Sequence, residues 1–162
     1  MSKSLAIIIA LGLLLPSLSS AATYTVTDLG TLGDPIDPLS FGYAINNHGQ
    51  VTGYSFVPGS HQQDVFLYDG TMHDLGIPGW GYGINDSGNV AGTSAHAFLY
   101  DGTMHDLGTL GGTSSEARGI NGSNQVTGYS SLAVSSGSHG QHAFLYDGTM
   151  HDLGTLGRAI AR

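Results

Sequence analysis

Phe66-Leu67-Tyr68-Asp69-Gly70-Thr71-Met72-His73-Asp74-Leu75-Gly76 recurs without change as Phe98 to Gly108 and again as Phe144 to Gly154. Each copy reads as a β-hairpin. Phe-Leu-Tyr is a strand-forming run, Asp-Gly is a two-residue turn with positive φ angles, and Thr-Met-His-Asp-Leu is the return strand. The turn pairs are Asp69-Gly70, Asp101-Gly102 and Asp147-Gly148. A two-residue turn sets Leu99 opposite Met104 and Phe98 opposite His105, which sends His105 and Asp106 to opposite faces. Identical phrases at intervals mark a repeat protein, and the repeats define its architecture.

A second hairpin alternates with the first. Ala44 to Ser55, Gly83 to Ser94 and Gly119 to Ser130 share an Ile-Asn-x-x-x-x-Val-x-Gly pattern. Asn46, Asn85 and Asn121 open its turn, where an Asn side chain bonds backbone groups ahead of it. Gly49 and Gly88 occupy the slot that needs a left-handed residue. Asn124 takes that slot in the third copy, as the residue that best tolerates the region after glycine. The exchange points to a backbone role, on which Asn124→Gly is neutral or stabilising.

Each unit therefore holds four strands: an Asp-Leu-Gly strand, the two arms of the Asn hairpin, and the Phe-Leu-Tyr strand. The units run about 24–68, 71–100 and 103–146. A surplus strand follows at 149–154, making thirteen strands in all. Arg158-Ala159-Ile160 then echoes Arg118-Gly119-Ile120, the opening of a truncated further repeat. The fold class is all-β, a propeller-like array of about three blades, with the β-trefoil and the β-prism as alternatives. Unpaired strand edges at both ends predict self-association, and a head-to-tail dimer supplies six blades.

The phrases His96-Ala97-Phe98-Leu99-Tyr100 and His142-Ala143-Phe144-Leu145-Tyr146 carry a resemblance. Together with Asp-Leu-Gly-Thr-Leu-Gly and the Ile-Asn stretch, they resemble the bacterial extracellular HAF repeat. Asp64-Val65 replaces His-Ala in the first copy. The resemblance implies an exported bacterial repeat protein. It implies no activity and carries over no catalytic residue.

The first 22 residues read as an address. Lys3 is the positive n-region, Leu5 to Leu15 is apolar apart from Gly12, and Pro16 ends the run. Ser19-Ser20-Ala21-Ala22 supplies the small residues of a cleavage site, after Ala22 by preference and Ala21 second. Residues 23–162 then form one β-repeat domain, secreted to the extracellular space, periplasm or cell surface, with no membrane span after cleavage.

Composition narrows the function. There is no cysteine, so packing and hydrogen bonds must hold an exported domain together. Glycine is 26 of 162 residues, far above the usual ~7%. Four basic residues stand against twelve acidic ones, and no basic cluster exists to meet nucleic acid.

The chemistry-bearing residues are few. His73, His105 and His151 each adjoin an Asp, but one His per repeat does not chelate a metal alone, so no metal or cofactor is assigned. The turn acids Asp69, Asp101 and Asp147 are accounted for by turn chemistry. His139 and His142 lie close together without a carboxylate beside them. Trp80, the single tryptophan, sits with Tyr82 in a Pro-Gly-Trp-Gly-Tyr connection; the pair either caps a core or stacks on a sugar. Trp80, Tyr82, His61, His139 and His142 are the candidate binding residues. Two functional classes follow: a non-catalytic interaction module for a glycan or surface protein, and a secreted hydrolase or lyase using Asp and His. The identical phrases favour the first, because a catalytic site needs different residues in different roles.

Overall fold

The computed structural model describes residues 23–133 and 140–156. The expected leader, His139 and the repeat expected to open at Arg158 lie outside the described residues. These fold as three four-stranded antiparallel sheets in tandem, with no helix among them and no closed ring. The first sheet orders β1 (Ser40–Ile45), β2 (Val51–Phe56), β3 (Gln63–Tyr68) and β4 (Met72–Pro78). The second orders β5 (Trp80–Ile84), β6 (Val90–Thr93), β7 (Ala97–Tyr100) and β8 (Met104–Asp106). The third orders β9 (Gly111–Ile120), β10 (Val126–Leu132), β11 (Gln141–Tyr146) and β12 (Met150–Asp152).

The unit is phased differently from the sequence expectation. The Met-His-Asp strand closes the sheet that precedes it, because its turn ties it directly to Phe-Leu-Tyr. The strand expected as surplus is β12, the fourth of the third sheet, and the described residues hold twelve strands. Tyr24 to Leu29, expected as a strand, pairs with no sheet, and Tyr24 and Val26 are exposed. Trp80 and Tyr82 are likewise in a strand, β5, and not in a connection.

The Asp-Gly turn also differs. Tyr100 pairs with Met104, Leu99 with His105 and Phe98 with Asp106, so the loop holds three residues, Asp101 to Thr103. Only the glycine has positive φ, at 120° for Gly70, 110° for Gly102 and 118° for Gly148. A one-residue change of register swaps the face that each return-strand side chain occupies. His105 and Asp106 still face opposite ways, with Asp106 now on the Phe98 side.

Alternation within each strand gives every sheet two faces, and neighbouring sheets meet face to face. Val65 and Leu67 of the first sheet pack on Ile84, Val90 and Phe98 of the second. Ala91, Ala97, Leu99 and Leu107 of the second pack in the same way on Ala117, Val126 and Phe144 of the third. Each joint is thus the same construction, an apolar layer of small and branched side chains on one sheet covering a Phe-Val layer on the next.

The Asn turns add a polar seam to those joints. Asn46, Asn85 and Asn121 accept, through Oδ1, the backbone N–H groups two and four residues ahead at 2.9–3.0 Å. Gly49, Gly88 and Asn124 hold the left-handed slot, at φ 76°, 79° and 60°. The Nδ2 groups then reach across: Asn46 donates to the Asn85 carbonyl at 2.8 Å, and Asn85 to the Asn121 carbonyl at 3.0 Å. Asn124 does more than tolerate its φ. Its Oδ1 accepts from Asn85 and Asn89 Nδ2, both at 2.8 Å, so glycine there would remove a bridge between sheets.

Candidate functional site

The first strand of each sheet carries a β-bulge at one repeat position. Register breaks between Gly42 and Ala44 in β1 and between Gly81 and Gly83 in β5, leaving Tyr43 and Tyr82 as the extra residues. In β9 the break falls between the partners of Thr127 and Gly128, leaving Arg118. A bulge re-aims its side chain out of the alternation. These three side chains consequently run in a row across the sheets. The Tyr43 and Tyr82 rings are 5.2 Å apart, and the Arg118 guanidinium lies 4.1 Å from the Tyr82 centroid.

Other rings extend the row into a strip. Tyr54 on β2 stacks on Phe41 at 5.0 Å and meets the Trp80 ring edge-on at 6.4 Å. At the far end Arg118 stands 5.7 Å from the Tyr129 ring. Phe41 and Tyr43 are about half exposed, and Tyr54, Trp80, Tyr82 and Tyr129 are part-buried. Arg118 is also paired with Glu116. Burial raises the Tyr82 hydroxyl pKa while the Arg118 charge opposes it, so the phenol stays protonated and able to donate. The neighbouring Tyr129 hydroxyl, and then the Glu116 carboxylate, raise the Arg118 pKa against its partial burial. The strip offers ring faces, phenol hydroxyls and one ion pair along a single surface.

Of the candidate residues read from sequence, Trp80 and Tyr82 belong to this strip. The histidines are placed elsewhere. His61 is in the β2–β3 connection with Nδ1 3.1 Å from Asp37. His142 does have a carboxylate beside it, contrary to expectation: Asp152 lies 2.8 Å from its Nδ1, as Asp106 lies 3.0 Å from His96. The turn acids also do more than turn chemistry requires. Asp69, Asp101 and Asp147 each sit 2.8 Å from the Nε2 of His73, His105 and His151. The three-residue loop produces this pairing by bringing the fourth residue after Asp back beside it. Among the described residues, no three His, Asp or Glu side chains gather into a group that could hold a metal ion.

Tyr43, Tyr82 and Arg118 were missed as a set by sequence reasoning. Their signal is positional: each stands two residues before the Ile-Asn turn, and each is large where the following residue is Ala or Gly.

Several carboxylates depend on these bonds. His73 and His105 hold the Asp69 and Asp101 pKa values below the ordinary 3.8, and the Asn47 side chain and backbone do the same for Asp86 across the first joint. Gly154 N–H and then His142 lower Asp152. A depressed acid contributes stability that is present above its unfolded pKa and lost as pH falls through the folded one. Burial instead raises Asp64, which stands where the other copies have His, so its contribution runs the opposite way. The thermal midpoint is therefore expected to hold or rise slightly on acidification toward pH 4, and to fall once pH drops below 3.8. A midpoint that keeps rising below that value would contradict the assignment of these pairs.

No family model, curated protein or solved structure matches the chain.

Proposed function

We propose that this is an exported, non-catalytic β-repeat protein that binds a glycan along the aromatic strip on the first two strands of its sheets. The observation that carries the reading is the row Tyr43, Tyr82 and Arg118, three bulge residues from three sheets in which Tyr82 meets both of the others. Half-exposed rings present flat apolar faces at little entropic cost, and Tyr, Trp and Arg dominate binding surfaces for that reason. Pyranose rings have matching apolar faces and a rim of hydroxyls, which phenols and the Glu116–Arg118 pair can meet. The His–Asp pairs support binding over catalysis, since they repeat with the sheets and lack the division of roles that a reaction needs. The leader at residues 1–22 and the likeness to HAF repeats support export from a bacterial cell.

Trp80 is the single tryptophan and lies at the strip, so its emission reports occupancy directly. A glycan array followed by fluorescence titration should find a ligand that shifts this emission. Tyr82→Ala should weaken that ligand about tenfold, roughly 1.4 kcal/mol, with the circular dichroism unchanged. Binding with undisturbed Trp80 emission and no loss in Tyr82→Ala would place the ligand elsewhere. The exported form should begin at Thr23.

A further inference from the structure

We propose that the chain docks head to tail on a second copy of itself, the exposed face of its third sheet covering the outer face of the partner's first sheet. The two internal joints show what each of these faces is made to meet. Ala97 on β7 and Leu107 after β8 are buried in the second joint, at 0% and 7% exposure. Their equivalents on the third sheet, Ala143 and Leu153, are exposed, Leu153 at 58%. At the other end Ile45 is 69% exposed where its equivalent Ile84 is 9%.

The match is specific at one glycine position. A Cβ on Gly81 would run into Thr52 and Val65 of the first sheet, which close over it. Over the equivalent Gly42 there is only Val51 of its own sheet, and a hollow of about 220 Å³ opens among Gly42, Tyr43, Ile45 and Val51. The residues of the third sheet equivalent to Thr52 and Val65 are Thr127 and Ala143, both exposed. The key for the hollow is thus already on the far end of the same chain. The approach to the first sheet is also in place, because Leu32 N–H bonds Ser55 Oγ as Leu110 N–H bonds Ser130 Oγ in the second joint.

Such docking also lengthens the binding strip. Phe41 and Tyr43 of the partner subunit come to the Arg118 and Tyr129 end, as Trp80 and Tyr82 come to Tyr54 and Tyr43 within the chain. Two copies give six sheets, within the four to eight of closed propellers, and a heterologous contact that closes is finite. What sets the terminal sheets apart is their faces. Free outer edges exist on every sheet, so the edge pairing expected from sequence does not distinguish the ends.

Light scattering on the chromatographed chain should give twice the monomer mass at high concentration and the monomer mass on dilution. Ile45→Asp and Ala143→Glu change exposed residues on opposite ends, and each should be monomeric with the thermal midpoint of the diluted, monomeric wild-type chain. Mixing the two variants should restore a one-to-one dimer, because each retains the face the other has lost. A monomer at every concentration overturns the proposal. So does polydisperse material, or a dimer that survives either substitution.

Discussion

Replacing Asn85 with alanine should cost about 3–4 kcal/mol of unfolding free energy, about twice the loss from the same change at Asn121. Asn85 is 5% exposed and uses its whole side chain. Its Oδ1 accepts from Ser87 and Asn89 N–H, and its Nδ2 donates to the Asn121 carbonyl and to Asn124 Oδ1. Alanine therefore breaks the turn and one of the polar bridges to the third sheet in a single step. Groups left unpaired in a buried place cost more than a hydrogen bond is worth when made. Asn121 repeats the turn chemistry, but it is exposed, and its Nδ2 reaches only Gln125 of its own turn. About 1–2 kcal/mol is expected there. Urea denaturation monitored at Trp80 checks the pair. Equal losses at the two positions would mean that the seam between sheets contributes nothing and that only the turns matter.

This contrast shows where the sequence was readable. Asn46, Asn85 and Asn121 announce a turn because their local chemistry is complete within five residues, and the three turns form as read. The all-β class and the four-strand unit follow equally from local phrases. What lay hidden depends on partners that spacing does not specify. Asn85 Nδ2 bonds a carbonyl 36 residues away, and nothing near Asn85 names it. The Asp-Gly turn gained a third residue, and the Asp101–His105 bond accompanies it; propensity for a two-residue turn takes no account of such a bond. Sheet phase was misassigned because the Asp-Leu-Gly strand lies between two candidate neighbours, and the short turn to Phe-Leu-Tyr decides between them. The strip was half legible. Trp80 and Tyr82 stood out as aromatics, whereas Tyr43 and Arg118 join them only because bulges at one repeat position re-aim all three side chains.

Gly92→Ala should destabilise by roughly 3 kcal/mol, although the backbone there has no need of positive φ. Gly92 belongs to the Val-x-Gly element that also places Gly53 on β2 and Gly128 on β10. A Cβ at Gly92 would fall well inside contact distance of the Trp80 carbonyl oxygen, and 2.8 Å from Phe98 Cζ. At Gly53 and Gly128 the obstacle is again the adjacent strand's carbonyl, from Phe41 and Glu116. Backbone cannot rotate away as a side chain can, so β5 must move off β6. That movement acts on three levels. It disturbs the Trp80 end of the bulge that aims Tyr82, it lifts Phe98 from a site where it is fully buried, and it loosens the first joint through Val90. Gly122 provides the control. Its Cβ would meet nothing within 4 Å, its φ is not positive, and alanine there should change stability by less than about 0.5 kcal/mol. Chemical denaturation of both variants measures the difference, and the glycan titration should show the Gly92 variant weakened even under conditions where it remains folded. Tolerance of alanine at Gly92 with wild-type stability would mean that β5 and β6 are not held at this approach, and the bulge would lose its role in aiming the strip.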